Sequence, residues 1–385
     1  MKRLAIWVLV FALLGVGYNA YHWSDGLTQN RIGYIIGKIF KNEKEAFRWF
    51  KKSADKGNPK GNLNLGHYYL CGKHGVEINY LKAYENLKKS ADKGNAKAQL
   101  QIGKMYKEGL GVEKTQEKAF EWIQKAANQN YPLAQSVLGQ CYYFGEGTEK
   151  NDVEAFRWYK KAAENGSIEG QLNLGSCYNK GIGTAVNDTE AFRWLKKAAD
   201  QKSPMAWDRV ADCYRKGQGT KQNLKEAFKY YKKASEENVK ESYGKLASMY
   251  YQGQGCSQNF KAAYDLWLKA AKEKESESLV GVGICKLFGH GTEKDLEGAL
   301  IYFRQAADLN DALGKFYLGK VYEEGLGVKQ DRNLAKKYYQ AAADQNDQNS
   351  KSALERIKAE EDAQRILQGT EKNNSPIPQS PTNPQ

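Results

Sequence analysis

The sequence predicts an all-α solenoid of about nine 36-residue helix-pair repeats, and three observations carry that expectation. A Gly-x-Gly pair at Gly109/Gly111 returns at Gly145/Gly147, Gly181/Gly183, Gly217/Gly219, Gly253/Gly255, Gly289/Gly291 and Gly325/Gly327, each step being 36 residues. A period of this size marks stacked supersecondary units, none of which buries its apolar face alone. The second observation is a column of cap formers at the same period: Asn42, Asn79, Thr115, Asn151, Asn187, Asn223, Asn259, Asp295 and Asp331, with a one-residue insertion before Gly75. Each can accept a hydrogen bond from the open amides of a first helical turn. The third is a pair of packing columns. Small residues recur at Gly66, Gly103, Gly139, Gly175, Ala211, Ala247, Gly283 and Gly319. Aromatic wedges recur at Tyr69, Tyr106, Tyr142, Tyr178, Tyr214, Tyr250 and Tyr322, with Lys286 as the exception.

Taken in order, residues 1–20 read as a signal peptide or N-terminal membrane anchor. Met1-Lys2-Arg3 is basic and Leu4 to Tyr18 is almost unbroken apolar sequence. That run is about 15 residues, short for a spanning helix and suited to a signal-peptide core. Gly15-Val16-Gly17 and Ala20 offer alternative cleavage points, so a cut segment and a retained anchor both stay open. Either one places the repeats outside the cytoplasm, in the periplasm or beyond the cell. Residues 24–41, with Ile32, Ile35, Ile36 and Ile39 on one face, predict an N-terminal cap helix.

The solenoid then runs over 42–343. In the copy 134–169, Ala134, Leu138, Cys141 and Tyr142 form the stripe of a first helix, and Gly145 ends it. Asn151 caps the second helix. Its apolar face is Ala155, Phe156, Trp158, Tyr159, Ala162 and Ala163, and Asn165-Gly166 stops it. Glycine inside a helix costs about 1 kcal/mol relative to alanine, so the small column predicts a close approach of two helix backbones. Residues 349–368 predict a C-terminal cap helix, with Leu354, Ile357, Ile366 and Leu367 facing inward. Residues 369–385, with Pro376, Pro378, Pro381 and Pro384, predict a disordered tail.

The motif Ala-x-x-x-Leu-Gly-x-x-Tyr-x-x-Gly-x-Gly, followed by Ala-Phe-x-Trp-x-x-Lys-Ala-Ala, resembles the SEL-one-like repeat (SLR) over about Asn42 to Ala343. That family belongs to the tetratricopeptide-type α/α solenoids. The resemblance implies a right-handed superhelix serving as an adaptor or scaffold for other proteins, with envelope functions or host contact for exported bacterial members. The copies depart locally. Lys286 stands where the tyrosine belongs, and Asn86, Tyr230, Leu266, Tyr302 and Tyr338 stand where the tryptophan belongs.

Catalytic and metal chemistry find little support. Of six cysteines, Cys141, Cys177, Cys213 and Cys285 share one core column, while Cys71 and Cys256 lie outside it. Neighbouring helices pack roughly 8–10 Å apart, beyond the reach of about 7 Å between disulfide-bonded Cα atoms, so free buried thiols are expected. A cysteine-rich branch of the family bridges its two helices with a pair of cysteines per unit, which this chain lacks. His22, His67, His74 and His290 are scattered, and no metal is expected. Ser53-Ala-Asp-Lys56 and Ser90-Ala-Asp-Lys93 match Ser-x-x-Lys, but no Ser-Asp-Asn or Lys-Thr-Gly accompanies them. No catalysis and no cofactor are expected.

The net charge of +14, from 59 Lys+Arg against 45 Asp+Glu, is spread along the repeats. It could draw acidic proteins, anionic lipid or nucleic acid. Nucleic acid is not expected for an exported chain, and membrane contact is expected only through the N-terminal segment. Lys51-Lys52, Lys88-Lys89, Lys160-Lys161, Lys196-Lys197 and Lys232-Lys233 fall where cations complement a helix dipole. The other reading of these pairs is a basic ridge for a cell-wall polymer or anionic surface. By the resemblance, first helices line the concave side. The register then exposes Lys104, Lys107, Gln140, Tyr143, Phe144, Asn179, Lys180, Asp212, Arg215, Lys216 and Tyr251. Their cations, amides and aromatics suit a protein or peptide partner with some acidic character. The expected function is a monomeric, non-catalytic scaffold.

Overall fold

The computed structural model describes residues 25–39, 41–72 and 75–373. The leader or anchor expected over 1–20 and residues 374–385 of the expected tail lie outside them, as do His22 and His74. Among the described residues all regular structure is helical. The chain divides into two compact units, Met1–Ala206 with Gln218–Thr220, and Trp207–Gly217 with Lys221–Gln385.

The first unit contains α1 (Gly26–Lys38), α2 (Glu43–Asp55), α3 (Pro59–Cys71), α4 (Tyr80–Asp92), α5 (Ala96–Glu108), α6 (Gln116–Asn128), α7 (Pro132–Phe144), α8 (Asp152–Glu164), α9 (Ile168–Lys180) and α10 (Asp188–Asp200). The second contains most of α11 (Pro204–Lys216), then α12 (Leu224–Glu236), α13 (Glu241–Gln252), α14 (Phe260–Ala271), α15 (Ser276–Phe288), α16 (Leu296–Asp308), α17 (Ala312–Glu324), α18 (Arg332–Ala343) and α19 (Gln348–Asn373). Within each unit, successive helices pair into hairpins and the hairpins stack.

Caps fix the helix boundaries. The side chains of Asn42, Asn79, Asn151, Asn187, Asn223, Asn259, Asp295 and Asp331 each accept from the backbone amide three residues on. Thr115 departs from the expected column. Its hydroxyl donates to the carbonyl of Glu113 and makes no cap bond. First helices end in the left-handed region, as at Gly145 with φ 73°. Gly147 has a second reason to be glycine: at φ 71° a Cβ there would overlap the carbonyl of Gln116 in the preceding hairpin.

The small column reflects the expected close approach of two backbones and, in addition, a side chain seated in the notch. A Cβ on Gly139 would lie 2.6 Å from the Tyr159 ring and 3.2 Å from the carbonyl of Ala155. A large side chain of the second helix therefore fills the notch first, with its backbone just behind. Between hairpins, the aromatic columns meet edge to face as expected: Phe120 on Tyr142 at 5.4 Å and 90°, Phe156 on Tyr178 at 5.4 Å and 87°, and Phe228 on Tyr250 at 5.0 Å and 90°.

Both ends differ from the expectation. The helix expected as a separate cap over 24–41 is the first half of a hairpin. In it Ile32 and Ile36 bury against Ala46, Trp49 and Phe50, while Ile39 is exposed. The closing helix, expected over 349–368, runs Gln348–Asn373, so 369–373 is helical. Gly369 lowers helix propensity without breaking the hydrogen-bond ladder, and the first proline comes only at Pro376. Ala353 and Ile357 of α19 bury against Ala335 and Tyr339. Arg332 pairs with Glu360, Lys336 with Glu361 at 2.9 Å, and Arg356 with Glu323 at 2.7 Å. No helix among the described residues is long and apolar enough to cross a membrane.

Candidate interaction surface

The residues expected to face a partner sit on the last turns of first helices, where the hairpin leaves room for the following Gly-x-Gly loop. In the first unit, Lys104, Lys107, Gln140, Tyr143 and Asn179 are half-buried, while Phe144 and Lys180 are exposed. Lys107 reaches the loop of the next hairpin and pairs with Glu146 at 2.7 Å. Asn179 donates to Asp188 at 3.1 Å, which also accepts from Gln218 at 3.0 Å. These two side chains thus hold neighbouring elements together and contribute less to an open surface than the register suggested. Phe144 is 66% exposed and stands edge-on to Tyr143 at 4.8 Å, with the Lys150 ammonium 5.6 Å from the Tyr143 ring. An aromatic pair flanked by one cation remains available.

In the second unit, Asp212 and Arg215 belong to an internal network. Lys245 donates to Asp208 at 2.9 Å and to Asp212 at 2.7 Å. Ser242 donates to Asp208 at 2.8 Å, Tyr231 to Asp212 at 2.7 Å, and Arg215 to the Tyr231 hydroxyl at 3.2 Å. Burial pushes the Asp212 carboxyl up, but the hydrogen bonds from Lys245 and Tyr231 outweigh it and hold the group below its ordinary value. Burial disfavours the Lys245 ammonium, yet Asp208 and Asp212 leave it above its ordinary value. Asp208 is 5% exposed. The equivalent position is Leu100, Leu172 or Val280 in other copies, so an acid there was a legible departure that the sequence reading passed over.

Lys216 is exposed. Tyr251 is half-buried and bonds to Nδ1 of His290 at 2.8 Å, packing on Phe260 and Trp267. Beside it Phe288 is 49% exposed.

The second helices carry a feature the lysine pairs only hinted at. In four copies a lysine lies over the tryptophan three residues earlier: Lys52 over Trp49 at 4.5 Å, Lys125 over Trp122 at 4.4 Å, Lys161 over Trp158 at 4.3 Å and Lys197 over Trp194 at 3.9 Å. Lys88 and Lys196 pair with Asp92 and Asp200. The Ser-x-x-Lys serines are fully buried. Ser53 donates to the carbonyl of Gly26, and Ser90 to that of Pro59 at 2.7 Å. The six cysteines are thiols outside any disulfide, and four of them are buried. Burial pushes Cys141 up to about 11 and Cys177 and Cys285 up to about 12.

The Sel1 repeat family model matches nine segments, residues 26–58, 59–95, 96–131, 132–167, 168–203, 208–239, 241–274, 276–311 and 312–347. Its first repeat is the α1–α2 hairpin. Among solved structures, a Sel1 repeat protein from Oxalobacter formigenes is similar at 25% identity and TM-score 0.54, over 80% of this chain and 89% of that one. A protective antigen present in uropathogenic Escherichia coli strains, with an SLR fold, is 23% identical at TM-score 0.51, over 96% of this chain and 100% of that one. A signal-transduction ATPase with a tetratricopeptide repeat sensor from Pyrococcus horikoshii is 18% identical at TM-score 0.50, over 87% of this chain and 54% of that one. No curated protein matches the chain.

Proposed function

The chain belongs to the Sel1 repeat family, whose solenoids mediate protein–protein interactions, and on that premise we propose that it is an exported, non-catalytic scaffold that binds a protein or peptide on its first-helix surface. The repeats lie outside the cytoplasm, carried there by residues 1–20. The observation that carries the reading is the exposed Phe144 set against the half-buried Tyr143, with Lys150 beside them. An aromatic anchor with a cation at its rim suits a partner segment that presents an apolar side chain next to an acidic one. Lys104 and Lys180 extend the cationic character along the same register of the first unit. Cross-linking pull-down from envelope extract tests it. Partner recovery should fall when Tyr143 and Phe144 are both replaced by Ala while helicity is retained. Unchanged recovery would remove this surface from the account.

A second reading places binding on the second helices. The lysines seated over Trp49, Trp122, Trp158 and Trp194 form a basic ridge of positioned cations suited to an anionic envelope polymer. Ionic strength separates the two. Ridge binding should collapse between about 0.01 and 0.15 M salt, as the Debye length shrinks from about 30 to 8 Å, whereas aromatic anchoring should persist.

A further inference from the structure

We propose that the proline-rich segment 374–385 docks on the aromatic patch formed in the second unit by Tyr251, Phe260, Phe288 and His290. This inference goes beyond the partner-binding reading and does not rest on it. The patch is out of pattern for the repeat. Position 288 is polar in most copies, as at Lys180, Lys216, Gln252 and Glu324, and the exposed Phe144 in one; only here is the exposed phenylalanine followed two residues on by a histidine. Its ring stacks with His290 at 5.6 Å and 28°, and His290 stacks on Phe260 at 4.5 Å and 12°. The hydrogen bond between the Tyr251 hydroxyl and His290 Nδ1 fixes the imidazole between the two phenylalanines. The result is a rigid ledge of flat rings, and aromatic-lined surfaces of this kind receive polyproline II segments. The chain carries two such spacings, Pro378-Gln-Ser-Pro381 and Pro381-Thr-Asn-Pro384.

The topology brings the segment to the right edge. Arg332 meets Glu360 while Tyr339 meets Ala353 and Ile357, so α19 runs antiparallel to α18 and parallel to α15 and α17. Glu323, at the end of α17, meets Arg356, so this part of α19 lies at the edge where first helices end. Asn373 lies thirteen residues past Glu360, which is about 20 Å of helix. Phe288 ends α15, two first-helix steps away, or about 20 Å at 10 Å per step. The direct return is therefore about 28 Å, and twelve residues of polyproline II span about 37 Å. Tethering also supplies an effective concentration of about 1 mM, so a contact with a Kd of only about 0.1 mM would be formed in about nine molecules of ten.

Photo-cross-linking on the full chain tests this, with Phe288→p-benzoylphenylalanine as the probe. The expected product joins position 288 to residues 374–385, with a yield independent of protein concentration. That yield should drop about twofold when Pro378→Ala and Pro381→Ala remove about 1.4 kcal/mol of contact energy, since the formed fraction then goes from about nine molecules in ten to about one in two. A product mapping elsewhere, a yield that rises with concentration, or no product would each overturn the proposal. A second measurement leaves Phe288 in place. Carbene footprinting of its ring should rise severalfold when the chain is ended after Asn373, and unchanged labelling would equally overturn it.

Discussion

Lys245 shows how one side chain can decide the stability of a unit. It is the cation shared by Asp208 and Asp212, and Asp208 is nearly buried. Breaking a buried ion pair from one side leaves an uncompensated charge and typically costs about 3–5 kcal/mol. Lys245→Met should therefore lower the unfolding free energy of the second unit by that order at pH 7, read as a lower urea midpoint. The penalty should shrink as pH falls into the carboxylate range, since a protonated aspartate needs no cation. A midpoint unchanged at pH 7 would show that the network contributes nothing. The buried thiols give a second pH dependence. Burial raises Cys141, Cys177 and Cys285 above the ordinary 9.0, to about 11 or 12. For a raised acid the stabilisation is complete below the unfolded value and is lost as pH climbs through the folded one. Stability should thus fall between about pH 9 and 12, and replacing the three by Ala should flatten that limb in a denaturant titration run at each pH. Why Asp208 escaped the sequence reading is physical. Periodicity identifies which positions face inward but not which buried polar groups find partners from a hairpin 37 residues away.

At the scale of the helix, the repeat is punctuated by caps and glycines, and here the sequence was most legible. Each cap residue acts locally, so its meaning survives without knowledge of the rest of the fold. Thr115 is informative because its backbone, φ −144° and ψ 113°, matches that of the asparagine caps although its hydroxyl bonds elsewhere. Thr115→Asn should restore the missing bond to the third amide and raise stability by about 0.5 kcal/mol; no gain by thermal melting would contradict this account of the column. Gly147→Ala should act in the opposite sense, losing roughly 1–3 kcal/mol because a left-handed backbone and a neighbouring carbonyl both exclude the methyl group. A different column stayed hidden. The second helices are followed by left-handed residues at Gly57, Gly94, Asn130, Gly166, Lys202, Asn238, Lys274, Asn310 and Asn346, and lysine at that position carries no local signal. The length of α19 was hidden for another reason: 369–373 reads with the proline-rich tail, yet the first proline comes only at Pro376 and a single glycine only weakens a helix.

Across each unit, the architecture follows from hairpins that complete one another's cores. Leu100, Ile123, Ala134, Leu138 and Cys141 belong to one buried cluster although they come from successive hairpins. The same holds for Tyr231 with Leu246 and Met249. This was legible from the period alone, because in-register columns can bury themselves only against their neighbours. The interaction surface was less so. Exposure on a helix face does not distinguish Lys107, tied to Glu146, from Phe144, left open to solvent. The stacking claim predicts that stability accumulates with copy number as in a one-dimensional chain. Denaturant unfolding of fragments 59–95, 59–131, 59–167 and 59–203 tests it most directly. The single hairpin should be unfolded, and the midpoint should rise with every hairpin added; a folded 59–95 with the midpoint of 59–203 would contradict it.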